Sequence, residues 1–230
     1  MKFGVIVFPG SNCDRDMVHA LQDDLKQETV LLWHKDNDLS QFSTEDCIVL
    51  PGGFSYGDYL RCGALARFSP IMEQVVQFAA RGGKVLGVCN GFQILCEAGL
   101  LPGALLQNDN QQFVCKNVFI KSEGRHNLIG KRTGDKALKV PVAHGEGRYY
   151  ADAGTLAQLI DNHQIVFRYC DEHGEVHLQS NPNGAIHNIA GICNAQKNVY
   201  GMMPHPERAC SEALHNIDGR AILHAFSYMN

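Results

Sequence analysis

Cys89 stands between two glycines in Gly87-Val88-Cys89-Asn90-Gly91, and this spacing predicts a nucleophile. An apolar, strand-like run from Lys84 to Val88 ends there. A helix-compatible run, Phe92-Gln93-Ile94-Leu95-Cys96-Glu97-Ala98, follows. The pattern is the thiol counterpart of the Gly-x-Ser-x-Gly elbow. A tight strand-to-helix turn needs small residues on both sides, because a Cβ there meets neighbouring backbone. The turn lifts the sulfur out of the sheet and leaves it at a helix N-terminus, where the dipole favours thiolate, the reactive form. Free cysteines are usually core fillers. The chain has nine, and Cys89 is singled out by its elbow.

A thiol nucleophile needs a base, and the base needs an orienting group. Of eleven histidines, His205 has special surroundings: Met203-Pro204-His205-Pro206-Glu207-Arg208. The two prolines hold the backbone extended. Residues two apart then project to one side, so Glu207 is expected beside His205, bonded to one ring nitrogen and favouring the imidazolium. Acyl transfer also needs donors for an oxyanion. The N–H of Asn90 is one source, and the turn Pro51-Gly52-Gly53-Phe54 is the other.

Other candidates are weaker. Gly53-Phe54-Ser55-Tyr56-Gly57 matches the serine elbow literally, but Gly57 and Gly63 make the residues after Ser55 a poor helix. Gly124 to Lys131 has one residue too many for a phosphate loop, and Arg132 stands where Ser or Thr would bind magnesium. His173 and His177 are four apart, but Gly174 between them indicates a turn, so no metal pair is expected. There is no dinucleotide fingerprint. Covalent chemistry without a cofactor or metal of the chain's own is the expectation.

The elements that must position these groups alternate. Phe3 to Phe8 predicts a strand, followed by Pro9-Gly10 and a helix capped by Ser11 or Asn12 that runs to about Leu25. Thr29 to Trp33 and Cys47 to Leu50 predict strands. Ser69-Pro70 opens a helix to about Arg81, and Lys84 to Val88 is the next strand. Such alternation predicts a parallel sheet with helices on both faces, in which sites form at the carboxyl ends of strands. Pro9-Gly10, Pro51-Gly52-Gly53 and Cys89 all fall at such ends. The second half is less regular. Phe113 to Lys121 and Ile165 to Tyr169 read as strands, and Cys170 to Glu175 reads as a turn before Val176-His177-Leu178. Ile189 to Asn194 and Asn198 to Met203 form a hairpin around Ala195-Gln196-Lys197. A last helix covers about Ala221 to Tyr228.

With 230 residues, 45% hydrophobic, the chain suits one α/β domain over 1–230. A net charge of −4 without a basic stripe argues against nucleic acid as a partner. No apolar stretch approaches a membrane span, and the N-terminus lacks a secretory signal. The cysteines include no Cys-x-x-Cys pair and are expected to be reduced cytoplasmic thiols.

Cysteine elbow, Pro-Gly-Gly turn and His-x-Glu in this order resemble the class I, triad-type glutamine amidotransferases. The resemblance extends to Phe8-Pro9-Gly10-Ser11-Asn12-Cys13-Asp14, Pro51 to Asp58, Gly87 to Gln93, Ala143-His144-Gly145-Glu146-Gly147-Arg148-Tyr149, Asn181-Pro182-Asn183-Gly184 and Pro204 to Arg208. Within that family it is most similar to the glutaminase subunits of phosphoribosylformylglycinamidine synthases, over essentially the whole chain.

The resemblance implies a three-layer, flavodoxin-like fold with a mostly parallel central sheet. It also implies glutamine as substrate, a γ-glutamyl thioester on Cys89, and ammonia passed to a separate synthetase subunit. That partner would use ATP and magnesium to convert formylglycinamide ribonucleotide to the amidine in purine biosynthesis, and a small third subunit would bridge the two. Gln93, one helical turn after Cys89, would hold the substrate. Asn181 to Gly184 would recognise its α-amino or α-carboxylate group. His144 and Arg148 would serve the subunit interface or the ammonia route. Cys13 and Cys62 receive no role. The competing readings are a stand-alone cysteine hydrolase or peptidase on the same fold, and a non-catalytic interaction subunit.

Overall fold

Four short strands carry almost nothing but buried residues: β3 (Cys47–Leu50), β4 (Lys84–Val88), β10 (Ile189–Cys193) and β11 (Val199–Met202). Apolar runs without alternation mark strands covered on both faces. In the computed structural model, which describes residues 1–227, they form the centre of a nine-stranded sheet. Its order is β2-β1-β3-β4-β11-β10-β9-β6-β7. The other members are β1 (Lys2–Val7), β2 (Glu28–Trp33), β6 (Val114–Ser122), β7 (Leu138–His144) and β9 (Ile165–Cys170). Strands β2, β1, β3, β4 and β11 are mutually parallel, and the extension from β11 to β7 pairs antiparallel. Only β6 and β10 therefore run against the rest, so the sheet is mostly parallel, as expected. A separate ribbon joins β5 (Ala104–Leu106) to β8 (Arg148–Tyr150).

Helices cover the sheet. α1 (Asp14–His19), α2 (Pro70–Ala80) and α3 (Asn90–Glu97) pack on the parallel strands, and α4 (Leu128–Thr133) and α6 (Asp218–Ser227) on the extension. α5 (Ala153–Asp161) precedes β9. The chain leaves β1 toward β2 on one side and reaches β3 on the other, so the order reverses between β1 and β3. Their carboxyl ends make the crevice in which open α/β sheets bind ligands.

Several elements differ from expectation. α1 is capped by Cys13 without a side-chain bond, and continues as a π-helical turn over Ala20–Asp24. Ser11 Oγ is already engaged, donating to the Gly52 carbonyl at 3.2 Å. Val176 to Leu178 join no strand. Asp171 gathers this turn instead, accepting from the N–H groups of His173 and Glu175 and bonding His177 Nε2 at 3.2 Å. β7 went unread because Pro141 interrupts it. Proline is tolerated there because β7 is an edge strand. α5 is capped by Asp152, which accepts from Gly154 and Thr155 N–H. α6 begins at Asp218, three residues before the expected Ala221, and Tyr228 lies outside the described residues.

Gly91 shows how tightly the elbow is built. A Cβ at this position would sit 1.9 Å from the Leu50 carbonyl oxygen, a backbone atom that cannot swing aside. Gly91→Ala is expected to destabilise the protein by about 3 kcal/mol or more. Urea unfolding should show a lower midpoint at unchanged slope.

Candidate active site

The Cys89 backbone has φ 51° and ψ −107°, a conformation that L-residues seldom adopt. Surrounding structure over-determines it, as strain at functional positions requires. Cys89 N–H donates to the Met202 carbonyl at 2.8 Å, and its carbonyl accepts from Gln93 N–H at 3.1 Å. A Cβ on Gly87 would press on the Gly91 carbonyl at 2.6 Å, so both flanking glycines are required. The thiol is 5% exposed, with Sγ 3.8 Å from the Ala143 carbonyl at the end of β7.

His205 reaches Cys89 from the neighbouring strand, since β11 lies directly beside β4. His205 N–H donates to the Pro141 carbonyl at 2.8 Å, which ties the segment to β7. Its Nδ1 lies 2.6 Å from Glu207 Oε1. The two side chains are almost completely buried, at 1% and 0% exposed. The route differs from the extended one expected: Pro206–Ala209 forms a 3₁₀ turn, and Glu207 folds back within it. Burial alone would push His205 down. The Glu207 carboxylate and the facing sulfurs of Cys89 and Cys13 outweigh burial and hold His205 well above the ordinary histidine range. A protonated imidazole beside Cys89 is the arrangement that sustains a thiolate–imidazolium pair.

These groups open on a pocket of about 200 Å³ lined by Asn12, Cys13, Gly53, Phe54, Cys89, Phe113, Ala143, His205 and Arg208. That is below the range of drug-sized cavities and suits one small side chain. A larger groove of about 620 Å³ lies on the antiparallel extension, among Lys121, Arg168 and His177. It contains no member of the triad.

Gly52 and Gly53 lie beside Cys89 and His205. A Cβ on Gly52 would lie 2.6 Å from His205 Cε1, and Gly53 has φ +134°. Asn90 N–H lies in the first turn of α3, among the donors that helix geometry leaves without intrahelical acceptors. Gly53 lines the pocket beside the thiol.

The other expected contacts are placed elsewhere. Gln93 does not line the pocket. Its Nε2 donates to the Glu146 carbonyl at 2.7 Å, and its Oε1 accepts from Asn90 Nδ2 at 2.9 Å. Asn181 is spent on its own loop: Oδ1 accepts from Asn183 and Gly184 N–H, and Nδ2 donates to the Ala185 carbonyl. Gly184, at φ +80°, faces the Asp109 side chain. Ser55 is buried at the start of a turn in which Tyr56 and Gly57 are left-handed, so no helix-borne serine elbow exists.

His144 is an interior residue, 3% exposed, rather than a group presented to a partner. Its Nδ1 faces Asn108 Oδ1 at 3.2 Å, and Asn183 Nδ2 faces its Nε2 at 3.4 Å. Burial, helped by the nearby His205, lowers it from 6.5 to about 4. Arg148 lies on β8, outside the pocket. Below pH 6.5 the unfolded chain takes up the His144 proton that the folded state refuses until about pH 4. Stability is therefore full above 6.5 and lost as pH falls. From pH 7 to 5 this amounts to about 2 kcal/mol. Urea titrations should show His144→Gln losing that much less than the parent over the same interval.

Cys13 and Arg208 were missed. Cys13 follows the carboxyl end of β1, and Arg208 Nη2 donates to its sulfur at 3.2 Å while Nε holds Asp16 Oδ2 at 3.0 Å. The available signal was Pro9-Gly10, whose strand end lies beside that of β3 once the sheet is formed. Cys62 lies next to Asp58 and Glu146, away from the pocket, and nothing gives it a task.

A cysteine on a strand–helix elbow, a buried His–Glu pair from the adjacent strand and a mostly parallel sheet define the triad-type amidotransferase class. The chain belongs to the glutamine amidotransferase family: the model of the CobB/CobQ-like glutamine amidotransferase domain matches residues 1–225. It is 56% identical over 224 residues to "Phosphoribosylformylglycinamidine synthase subunit PurQ" of Moorella thermoacetica, covering 97% of this chain and 94% of that one. The protein of the same name from Thermosynechococcus vestitus is 55% identical over 226 residues, covering 95% and 92%. Among solved structures, a chain of "Structure of PurLQS from Thermotoga maritima" superposes with TM-score 0.84 at 38% identity, covering 98% and 97%. A glutamine amidotransferase from the same organism, at 16% identity and TM-score 0.56 over 98% of this chain and 90% of that one, shares the fold.

Proposed function

We propose that this chain is the glutamine-hydrolysing component of a phosphoribosylformylglycinamidine synthase, and that Cys89, His205 and Glu207 carry the reaction. The Cys89 thiolate attacks the side-chain amide carbon of glutamine. Asn90 N–H and the Gly53 turn receive the oxyanion. His205 gives its proton to the leaving nitrogen, ammonia departs, and a γ-glutamyl thioester remains. Water then attacks the thioester while His205 takes a proton, releasing glutamate and restoring the thiolate. Glu207 keeps the imidazole oriented and charged. The observation that carries this reading is the buried 2.6 Å His205–Glu207 pair facing the elbow thiol.

The ammonia would be consumed by a separate synthetase subunit that binds ATP and magnesium, with a small bridging subunit between them. Support comes from the near full-length likeness to the chain of the Thermotoga maritima PurLQS structure. Phe54 and Phe113, both about half exposed, line the pocket mouth, and the loop after Phe54 also exposes Tyr59 and Leu60. Exposed aromatic and aliphatic side chains beside a site suit a docking surface. A cytoplasmic location agrees with nine cysteines that are all free thiols. Among the described residues no helix is long and apolar enough to cross a membrane.

Labelling by the electrophilic glutamine analogue 6-diazo-5-oxonorleucine, read by intact mass and peptide mapping with and without the synthetase, tests the assignment. One glutamine-protectable adduct on Cys89 is expected. No adduct on folded protein in either condition would remove the glutaminase reading and leave an interaction subunit. An adduct that glutamine fails to protect would favour a hydrolase of other amides.

A further inference from the structure

The amino ends of β4 and β11 carry a second concave site, at the opposite end of these strands from Cys89 and His205. Three segments distant in sequence meet there. Asn198 Nδ2 donates to the Ala79 and Gly83 carbonyls at 2.8 Å each, which clamps the β10–β11 turn to the turn before β4. The Tyr200 hydroxyl donates to the Lys197 carbonyl at 2.7 Å and accepts from Leu128 N–H at 3.3 Å, which fastens the start of α4 to the same turn. The groove between them has a volume of about 360 Å³, within the range of small-ligand sites. Each segment supplies one lysine to its lining: Lys84, Lys131 and Lys197. Among the described residues, no Asp or Glu lines it, although the whole chain has a net charge of −4. Among the same residues, Lys131 and Lys197 have no ion-pair or side-chain hydrogen-bond partner. Lys84 Nζ reaches a backbone carbonyl, that of Glu45, at 3.3 Å. Asn127 lines the groove while 2% exposed. Its Oδ1 is committed to Gly130 N–H at 2.9 Å, and its Nδ2 is buried and makes no hydrogen bond. A buried N–H without a partner is costly.

We propose that this groove binds a small phosphate-bearing anion, held by Lys84, Lys131, Lys197 and the Asn127 amide. Three ammonium groups with no carboxylate among them create a positive potential, which the low-dielectric walls of a groove focus. An anion of two or more charges relieves their mutual repulsion. Lysine binds phosphate as a point charge, whereas the arginine fork is the better match for a carboxylate. Among the described residues, no arginine lines this groove. Asn127 Nδ2 donates to a phosphate oxygen and so gains the partner it lacks within the chain. His126, also on the lining, offers a ring N–H in either tautomer. The larger groove among Lys121, Arg168 and His177 is a poorer anion site, because Glu123 pairs with Arg168 at 2.6 Å inside it. The anion and glutamine occupy opposite ends of β4, so the proposal stands independently of the glutaminase reading.

The test is isothermal titration calorimetry of the full chain with pyrophosphate at low ionic strength, with succinate as the carboxylate control. Wild type is expected to bind one pyrophosphate saturably, while succinate neither binds nor competes. Lys131→Ala and Lys197→Ala should each weaken binding about tenfold or more, the ordinary cost of one charge-assisted hydrogen bond. Asn127→Asp keeps an oxygen to cap α4 but replaces the donor with a negative charge, and should weaken binding at least as much. Lys116→Ala, at an exposed lysine of β6 outside the groove, should bind like the parent. Absence of saturable binding in wild type would overturn the proposal, as would unchanged affinity in both lysine variants or equal competition by succinate. A loss in Lys116→Ala as large as that in Lys131→Ala would also overturn it, by assigning the binding to diffuse surface charge. If Asn127→Asp loses the parent's circular dichroism, the two lysine variants decide in the same way.

Discussion

Cys89→Ala is expected to abolish glutamine-dependent amidine synthesis in a complex reconstituted with the synthetase, while ammonia-dependent synthesis continues. The alanine removes the only atom that can form the thioester. Binding and oxyanion stabilisation remain, and in a covalent mechanism they sustain little of the rate. The loss should reach at least about ten-thousandfold. The side chain is small and sits at the pocket wall, and Ala tolerates the space, so the surface offered to the partner is preserved. Both activities are measured in one preparation, with glutamine or ammonium salt as nitrogen donor. Loss of ammonia-dependent synthesis as well would assign Cys89 a structural role.

Glu207→Gln should lower glutamine turnover by about a hundred- to ten-thousandfold with the fold intact. The amide oxygen can still accept from His205 Nδ1 at the 2.6 Å position, so orientation is largely kept. The negative charge that holds the imidazole protonated against burial disappears. A buried imidazolium without its counter-charge is costly, and the ring avoids this by losing its proton. His205 therefore titrates lower in the variant, and the thiolate–imidazolium pair dissolves at lower pH. The alkaline limb of kcat/KM should move to lower pH, alongside the loss in rate. A merely structural Glu207 would reduce the rate without moving that limb.

The elbow was legible because its constraint is local. Two glycines around a cysteine, with an apolar run before and a helix former after, specify a turn that few other sequences can make. The His-x-Glu pair was legible for its proline frame, although the pairing geometry is a 3₁₀ turn rather than an extended strand. The parallel strands announced themselves as continuous apolar runs, because burial on both faces removes the need for polar alternation. β7 did not, because its proline is permitted only by an edge position that sequence does not display.

Side-chain direction was the harder matter. Gln93 stands one turn from Cys89, as its number implies, yet its amide is consumed by Asn90 and the Glu146 carbonyl. Asn181 closes its own loop. His144 turns inward onto Asn108 and Asn183. By itself the sequence determined the Cys89 elbow, the pairing of His205 with Glu207 and the mostly parallel sheet, each through constraints acting within a few residues. Tertiary structure alone decided that Cys13 and Arg208 stand beside them and that Gln93 does not line the pocket. Those placements depend on which strand ends become neighbours and which buried polar atoms must be satisfied, and both are settled only when the sheet closes around them.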